Sequence, residues 1–335
     1  MTMLTSRRVL CASVGAAVLA LTAGPAAFAA DKIEAVIATV NASTFLIPRL
    51  EQRFADLVAE KTDGGLVIEV VTDGQLGGMK ENIEAVMAGN LEMCQVNNAF
   101  LGSLYPGTML FDLPFVFRDN DHMRKVVRGE IGEDVYGAFE EQTGVKLILT
   151  GLADGPRSVW NRTRAVRTPA DLEGLKLRVM ESPLMVDTFT ALGAIPTPMA
   201  YPEVYMAAKQ GVIDGAETPP AGLVDMKAPE IAKYYSLTQH FAMPSAVAVN
   251  AEWYDGLPQE YKDAIQEAEA EAAAWYDTTY DADNEKALVI VQEEGMEVNQ
   301  VEDPEAFRAA VKPVYEKYAE RVGGMAAIER VLETE

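Results

Sequence analysis

The fold of this chain is decided by the stretch Asp171-Leu172-Glu173-Gly174-Leu175-Lys176-Leu177-Arg178-Val179. Its last five residues alternate, so a strand here places three apolar side chains on one face and Lys176 and Arg178 on the other. Ser182-Pro183 then supplies a helix N-cap and a first-turn proline, and Gly193 ends that helix. A strand that runs directly into a helix is the repeating unit of α/β proteins.

The same strand-then-helix pattern recurs along the chain. It predicts strands over residues 35–40, 66–71, 93–96 and 145–149, and a short strand and turn over 212–215. Such alternation predicts an α/β protein with largely parallel sheets. The chain has 335 residues, more than one core usually supports, and no low-complexity linker. We therefore expect two lobes joined by crossing strands.

A long helix is predicted in the C-terminal third. Residues 259–294 contain neither Gly nor Pro and are rich in Ala and Glu. A single helix of that length would be unusually long for a globular protein and would lie across both lobes. Two helices with a break near residues 281–284 are the alternative.

The first thirty residues have the pattern of an export signal. Arg7 and Arg8 form a positive start, residues 9–21 an apolar run, and Ala27-Phe28-Ala29 a cleavage site, so we expect residues 1–29 to be removed. The apolar run is too short to span a bilayer. The two arginines leave the general and the twin-arginine export routes open. Either route predicts a periplasmic protein.

The charge of the chain excludes one class of partner. Its formal charge is −23, and removal of two arginines with the signal makes it −25. No Lys/Arg cluster is present that could release counterions from phosphate, so we expect no nucleic-acid partner. One cysteine, Cys94, would remain in the mature chain, so its fold must rest on its cores rather than on an internal disulfide. We expect a monomer.

The sequence contains no motif for catalysis or cofactor binding. His122 and His240 are its two histidines, and neither has the spacing of a metal-ligand pair. No nucleophile elbow, paired-cysteine motif or phosphate loop occurs. We therefore predict no metal, no cofactor and no enzymatic activity. A secreted hydrolase or lyase that uses a carboxylate pair is the alternative class.

Five segments, in order along the chain, resemble the substrate-binding proteins of tripartite ATP-independent periplasmic (TRAP) transporters. They are Asp73-Gly74-Gln75-Leu76-Gly77, the 171–179 stretch, Gly193-Ala194-Ile195-Pro196-Thr197-Pro198-Met199 with the following Glu203-Val204-Tyr205, Gly211-Val212-Ile213-Asp214-Gly215-Ala216-Glu217, and Leu237-Thr238-Gln239-His240. The resemblance implies a two-lobed periplasmic-binding-protein-like fold with a ligand cleft between the lobes and a long helix across both. It also implies an integral-membrane permease, driven by sodium, as partner.

The resemblance also divides the chain between the two lobes. We expect the first lobe to contain residues 30–154 and 244–283. The second lobe is expected to contain residues 155–243 and 284–330.

Two arginines are the first candidates for holding a ligand. The family arginine that matches Arg178 forms a paired salt bridge with the ligand carboxylate, and a planar guanidinium suits that contact. A solvated arginine on the polar face of a strand is the alternative for Arg178. Arg157, in Gly155-Pro156-Arg157, matches a second family arginine near the ligand. Its alternative is an ion pair with a neighbouring acid.

The remaining candidates follow from the same resemblance. Tyr201 occupies a position where the family often places an aromatic against the ligand, with core packing as the alternative. Asn41 and Asn97 lie at strand ends, where the family supplies polar contacts and where asparagine also forms turns.

Two departures from the family pattern bear on the ligand. The chain has Glu217-Thr218-Pro219 where the family often has Glu-Asn-Pro, so Thr218 offers a hydroxyl beside Glu217. Glu181 stands where sialic-acid binders carry asparagine. An acid there would repel a second carboxylate and favour a hydroxyl donor, which argues against sialic acid.

These observations predict an extracytoplasmic solute-binding protein that captures a small organic carboxylate and delivers it to a TRAP permease. A sugar acid such as a uronate is the first expectation. A C4-dicarboxylate or another organic acid is the alternative ligand. A chemosensory binding protein of the same fold is an alternative role.

Overall fold

The computed structural model describes residues 32–153 and 156–335, so the predicted signal peptide lies outside the described residues. The strands of the described part are β1 Ile33–Ala38, β2 Leu66–Val71, β3 Met93–Asn97, β4 Val145–Ala153, β5 Arg157–Asn161, β6 Lys176–Val179, β7 Ile195–Pro198, β8 Gly215–Thr218, β9 Tyr234–Phe241, β10 Pro244–Asn250 and β11 Glu297–Gln300. The α-helices are α1 Leu46–Lys61, α2 Met79–Met87, α3 Asn98–Leu101, α4 Asn120–Val127, α5 Glu130–Thr143, α6 Pro183–Ala191, α7 Val204–Gln210, α8 Pro220–Asp225, α9 Ala251–Gly256, α10 Gln259–Glu293, α11 Pro304–Ala310, α12 Lys312–Tyr318 and α13 Met325–Glu333.

The strands form two sheets, one in each lobe. The first sheet has the order β2-β1-β3-β10-β4, and the second has the order β11-β9-β5-β8-β6-β7. We call them the first and second lobe after their sheets. This arrangement confirms the predicted two-lobed α/β fold. The residue boundaries proposed for the lobes stay a prediction.

The sheets are mixed, so the expectation of largely parallel sheets was wrong. Of the nine strand pairings in the described residues, four are antiparallel. The chain passes between the sheets three times, from β4 to β5, from β9 to β10 and, through α9 and α10, from β10 to β11. Strands β5 and β10 each begin at the end of their sheet that faces the other lobe. They therefore run in the opposite direction to β3, β6 and β8, whose last residues lie at that end.

The decisive stretch forms its strand as predicted. In β6, Leu177 and Val179 are fully buried, while Lys176 on the opposite face is exposed. Burial of one such side chain contributes roughly 1.5–3 kcal/mol. The predicted strand over 212–215 is misplaced, because β8 begins only at Gly215. A Cβ at Gly215 would lie 1.9 Å from the carbonyl oxygen of Trp160, so glycine permits the close approach of β5.

The long helix is continuous, and the alternative with a break near 281–284 is wrong. Helix α10 spans 35 residues and contacts α1 and β4 of the first lobe and α8 of the second. The Tyr276 hydroxyl donates to the carbonyl of Ala153 at 3.0 Å. Asn284 is buried within the helix and accepts from the amide of Ala221 at 3.2 Å. No helix in the described part of the chain is long and apolar enough to cross a membrane.

Candidate functional site

A cavity lies between the two lobes. It is at the end of each sheet where β1 and β3, or β6 and β8, have their last residues. Its volume is about 520 Å³ with the open mouth included. The first lobe contributes Asn41, Phe45, Met79, Asn97 and Phe100, and the second contributes Arg157, Arg178, Met180, Glu181, Ala200, Tyr201, Thr218 and Gly222.

Strand direction explains why these side chains meet. In the first sheet β1 and β3 are parallel, so Asn41, which follows β1, and Asn97, which ends β3, lie at the same edge. In the second sheet β6 is parallel to β8, which places Arg178 and Thr218 at one edge. Strand β5 is antiparallel to β8, so its first residue, Arg157, lies at that edge too. Carboxyl ends of parallel strands are where α/β proteins bind ligands.

Arg178 is buried against the cavity and forms one hydrogen bond to the described residues. Its side chain is 3% exposed, and its Nε donates to the carbonyl of Met199 at 2.9 Å. No acid of the described residues forms an ion pair with it. Burial lowers the pKa of Arg178 to about 10, Glu217 opposes that shift, and Arg157 adds to it. The guanidinium therefore stays charged at neutral pH while lacking a counter-ion in direct contact.

Arg157 is equally buried but is paired. Its Nε donates to Glu217 Oε2 at 2.5 Å, and its Nη2 donates to Oε1 at 2.9 Å. His240 Nε2 lies 3.5 Å from the same Oε2. Burial alone would raise the pKa of Glu217, but Arg157 and His240 outweigh it and lower the pKa to about 2. The ion pair expected as the alternative for Arg157 is therefore present. Arg157 also lines the cavity, and its contact with a ligand stays a prediction.

The remaining predicted residues fall into two groups. Asn41, Asn97, Tyr201, Thr218 and Glu181 line the cavity, as do both arginines. Glu217 does not line it and reaches it only through Arg157.

The polar lining residues are held in different ways. The Tyr201 hydroxyl donates to Asp225 Oδ2 at 2.7 Å. Asn97 Oδ1 accepts from Gln95 at 3.2 Å, and the backbone of Thr218 accepts from the Tyr235 hydroxyl at 3.0 Å. Glu181 is half-buried, and within the described residues no side chain or amide donates to its carboxylate.

Sequence reasoning missed the apolar part of the lining. Phe45 immediately precedes α1, Met79 begins α2, and Phe100 and Met180 follow the strand ends that carry Asn97 and Arg178. The positions of Phe100 and Met180 shortly after strand ends were a usable signal. Their residue types were not, because apolar side chains beside strands are mostly core.

Nothing in residues 32–153 and 156–335 gathers three His, Cys, Asp or Glu side chains in a group that could hold a metal ion. Burial lowers the pKa of His240, so this histidine is neutral at neutral pH. The arrangement suits reversible binding of an anion by one buried guanidinium.

Two α/β lobes with a polar cavity between them, spanned by a long helix, are the architecture of a two-lobed periplasmic binding protein. The family model for bacterial extracellular solute-binding protein, family 7 (DctP), matches residues 37–321. The chain belongs to this family, the solute-binding proteins of TRAP transporters.

Relatives of known name and structure agree with this membership. The C4-dicarboxylate-binding periplasmic protein DctP of Rhodobacter capsulatus is 32% identical over 324 residues, which cover 95% of this chain and 96% of that protein. The crystal structure of a TRAP solute-binding protein from Roseobacter denitrificans with bound β-D-glucuronate has a TM-score of 0.86 and 33% identity, and covers 90% of this chain and 100% of that one. A protein from Sulfitobacter sp. NAS-14.1 with bound β-D-galacturonate has a TM-score of 0.85 and 30% identity, with the same coverage.

The buried Arg157–Glu217 pair predicts a pH dependence of stability. The pKa of Glu217 is lowered from 4.5 to about 2 on folding, so its contribution is complete above pH 4.5 and is lost as the pH falls toward 2. Glu217→Gln should lower the free energy of unfolding at pH 7 by roughly 3–5 kcal/mol, because it leaves the Arg157 charge unpaired. It should also flatten the decline of that free energy between pH 4.5 and 2.

Denaturant unfolding at several pH values measures both effects. Glu305→Gln is the matched control, because Glu305 forms an exposed ion pair with Arg308, and it should leave the pH profile unchanged. A Glu217→Gln profile parallel to that of the wild type would contradict the assignment.

Proposed function

We propose that this protein binds a hydroxylated monocarboxylate, a sugar acid of the uronate type, and delivers it to a TRAP permease. The observation that carries the proposal is the buried Arg178 guanidinium, which lines the cavity without an acid partner among the described residues. Leaving a buried charge unpaired costs several kcal/mol. A ligand carboxylate removes that cost, because its two oxygens match the two parallel N–H donors of an arginine.

The charges around the cavity favour a ligand with one carboxylate. Glu217 already neutralises Arg157, so Arg178 is the cation that remains to be matched. Glu181 lines the same cavity and would repel a second carboxylate.

The uncharged polar groups favour a ligand with several hydroxyls. Asn41, Asn97 and Thr218 line the cavity and can exchange hydrogen bonds with a ligand, and the Glu181 carboxylate can accept from hydroxyls. A small keto acid has too few polar groups to satisfy these, and each buried polar group left unsatisfied costs roughly 1–3 kcal/mol. Apolar side chains such as Phe45 and the ring of Tyr201 can cover a sugar face.

The comparisons support the same class of ligand. Similar TRAP proteins hold glucuronate or galacturonate in their crystal structures. The relative from Rhodobacter capsulatus, in contrast, binds C4-dicarboxylates. A C4-dicarboxylate is therefore the second candidate, and it would require Arg157 to accept the second carboxylate with Glu181 turned away.

The proposed role is transport rather than catalysis. The family consists of carriers, and we infer that this chain acts in the periplasm after removal of residues 1–29, as a monomer, with a membrane permease as partner and without nucleic acid. A hydrolase or lyase would convert the bound acid, so NMR of a prolonged incubation separates the two classes. A chemosensory role would share the ligand and differ in its partner.

The ligand class is tested by calorimetry with glucuronate, galacturonate, succinate, malate and pyruvate under one buffer condition. We expect a uronate to bind tightest, because it satisfies both Arg178 and the hydroxyl-accepting groups. Tightest binding of succinate without a signal from either uronate would reject the sugar acid and leave the family assignment intact.

The role of Arg178 is tested by substitution. Arg178→Ala should weaken binding of the preferred acid by ~30-fold or more, since truncation of one partner of a buried charged pair costs roughly 2–5 kcal/mol. Arg178→Lys should restore little, because an ammonium does not present two parallel donors.

Arg164→Ala is the matched control, because Arg164 lies in the same lobe and donates to the carbonyls of Asp171 and Glu173 away from the cavity. Titration calorimetry of the three variants gives the affinities. Near-native affinity in Arg178→Ala would remove Arg178 from the site.

A further inference from the structure

A carboxylate beside the cavity connects the two lobes. Asp225 ends α8 in the second lobe, and its Oδ1 accepts a hydrogen bond from the backbone amide of Ala42 in the first lobe at 3.3 Å. Its Oδ2 accepts from the Tyr201 hydroxyl at 2.7 Å. The side chain of Asn41 also lies beside it. One carboxylate therefore receives donors from both lobes, and its neighbours Asn41 and Tyr201 line the cavity.

The lobes contact each other at this side of the cavity through neighbouring loops as well. A Cβ added at Gly74 of the first lobe would lie 3.1 Å from the Pro202 ring of the second lobe. A Cβ added at Gly78 would lie 3.5 Å from the Cβ of Ala200. The loop around Gly74–Gly78 thus abuts the loop that carries Tyr201, and Asp225 supplies the charged acceptor beside this contact.

The hydrogen bond between Asp225 and the first lobe can form only while the two lobes are in contact. The Asp225 carboxyl is mostly buried, and burial raises its pKa, although Tyr201, Asn41 and the Ala42 amide oppose the shift. Separation of the lobes would remove Ala42 and Asn41 from the carboxylate and return it to water. The hydrogen bond from Ala42 crosses between the lobes and exists only in the closed arrangement, and together with the bond from Tyr201 it offsets part of the cost of burying the carboxylate.

We propose that Asp225 is a latch and positioning residue that holds the lobes together over the bound acid and orients Tyr201 against it. The proposal rests on the proposed function, because the latch acts on the ligand-bound state. The open cleft admits the ligand before the latch forms. The latch therefore acts mainly on the rate of ligand release, while the rate of association is set before closure.

The kinetic test uses a label pair on the two lobes and D-glucuronate. Glu141→Cys in α5 and Gln210→Cys in α7 place exposed thiols on opposite lobes, while Cys94 is buried and stays unlabelled. Stopped-flow energy transfer between the labels reports closure and release. We expect Asp225→Asn and Asp225→Ala to raise the dissociation rate by about tenfold or more and to change the association rate by no more than about twofold.

Asp187→Asn is the matched control. Asp187 also accepts from a tyrosine, Tyr318 at 2.6 Å, and from Lys317 at 2.6 Å, but it joins α6 to α12 away from the cavity. Both rates should stay at the wild-type values in this variant. Tyr201→Phe removes one donor and keeps the ring, and its effect on the dissociation rate should shrink in the Asp225→Ala background, because both changes remove the same bond.

One outcome overturns the latch, namely wild-type dissociation rates in both Asp225 variants. If the melting temperature of the ligand-free protein falls in the same variants while the rates stay unchanged, Asp225 is confined to fold stability. An absence of glucuronate binding in the wild type is a different failure. It removes glucuronate as the ligand, and the same rates are then measured with whichever acid of the calorimetric series binds tightest, so the two proposals are tested separately.

Discussion

The buried guanidinium of Arg178 is the constraint on which the rest of the cleft depends. Two arginines lie at the same end of the second sheet, on the two strands that flank β8, and both are almost fully removed from solvent. Glu217 neutralises one of them with a two-point ion pair, and among the described residues the other has a backbone carbonyl beside its Nε and no acid in contact. A folded protein tolerates such an imbalance when an anion from outside completes it. The fold therefore places an unpaired positive charge at one defined point of the cavity, which suits an anion. Under the proposed function, the neighbouring Glu181 restricts that anion to one with a single carboxylate.

The two sheets bring these groups together through strand direction. Strands β1, β3, β6 and β8 end at the cavity, and the connections between the lobes begin or end there as well. Consequently the side chains of the site come from seven separate stretches of sequence, and any motion between the lobes changes their spacing. The paired Arg157–Glu217 unit joins β5 and β8 and keeps the second lobe's half of the site intact. Asp225 receives donors from both lobes and links that half to the first lobe.

Much of this architecture could be predicted from the sequence because its signals are local. The alternation in 171–179 places Arg178 on the opposite face of β6 from Leu177, and the absence of Gly and Pro over 259–294 indicates the long helix. The resemblance to one transporter family identified seven residues that line the cavity. What could not be predicted depends on the path of the chain in space. The antiparallel pairings arise from the crossings between lobes, the start of β8 at Gly215 depends on its contact with Trp160, and the counter-ion of Arg157 depends on the register between β5 and β8.

The central claim is that Arg178, and not Arg157, takes the carboxylate of the ligand. A crystal structure of the complex with D-glucuronate, or with whichever acid of the calorimetric series binds tightest, tests it most directly. The account predicts both carboxylate oxygens within hydrogen-bond distance of the Arg178 guanidinium, with Glu217 still bound to Arg157. A carboxylate held by Arg157 with Glu217 displaced, or an Arg178 guanidinium with no ligand oxygen within 4 Å, would contradict it.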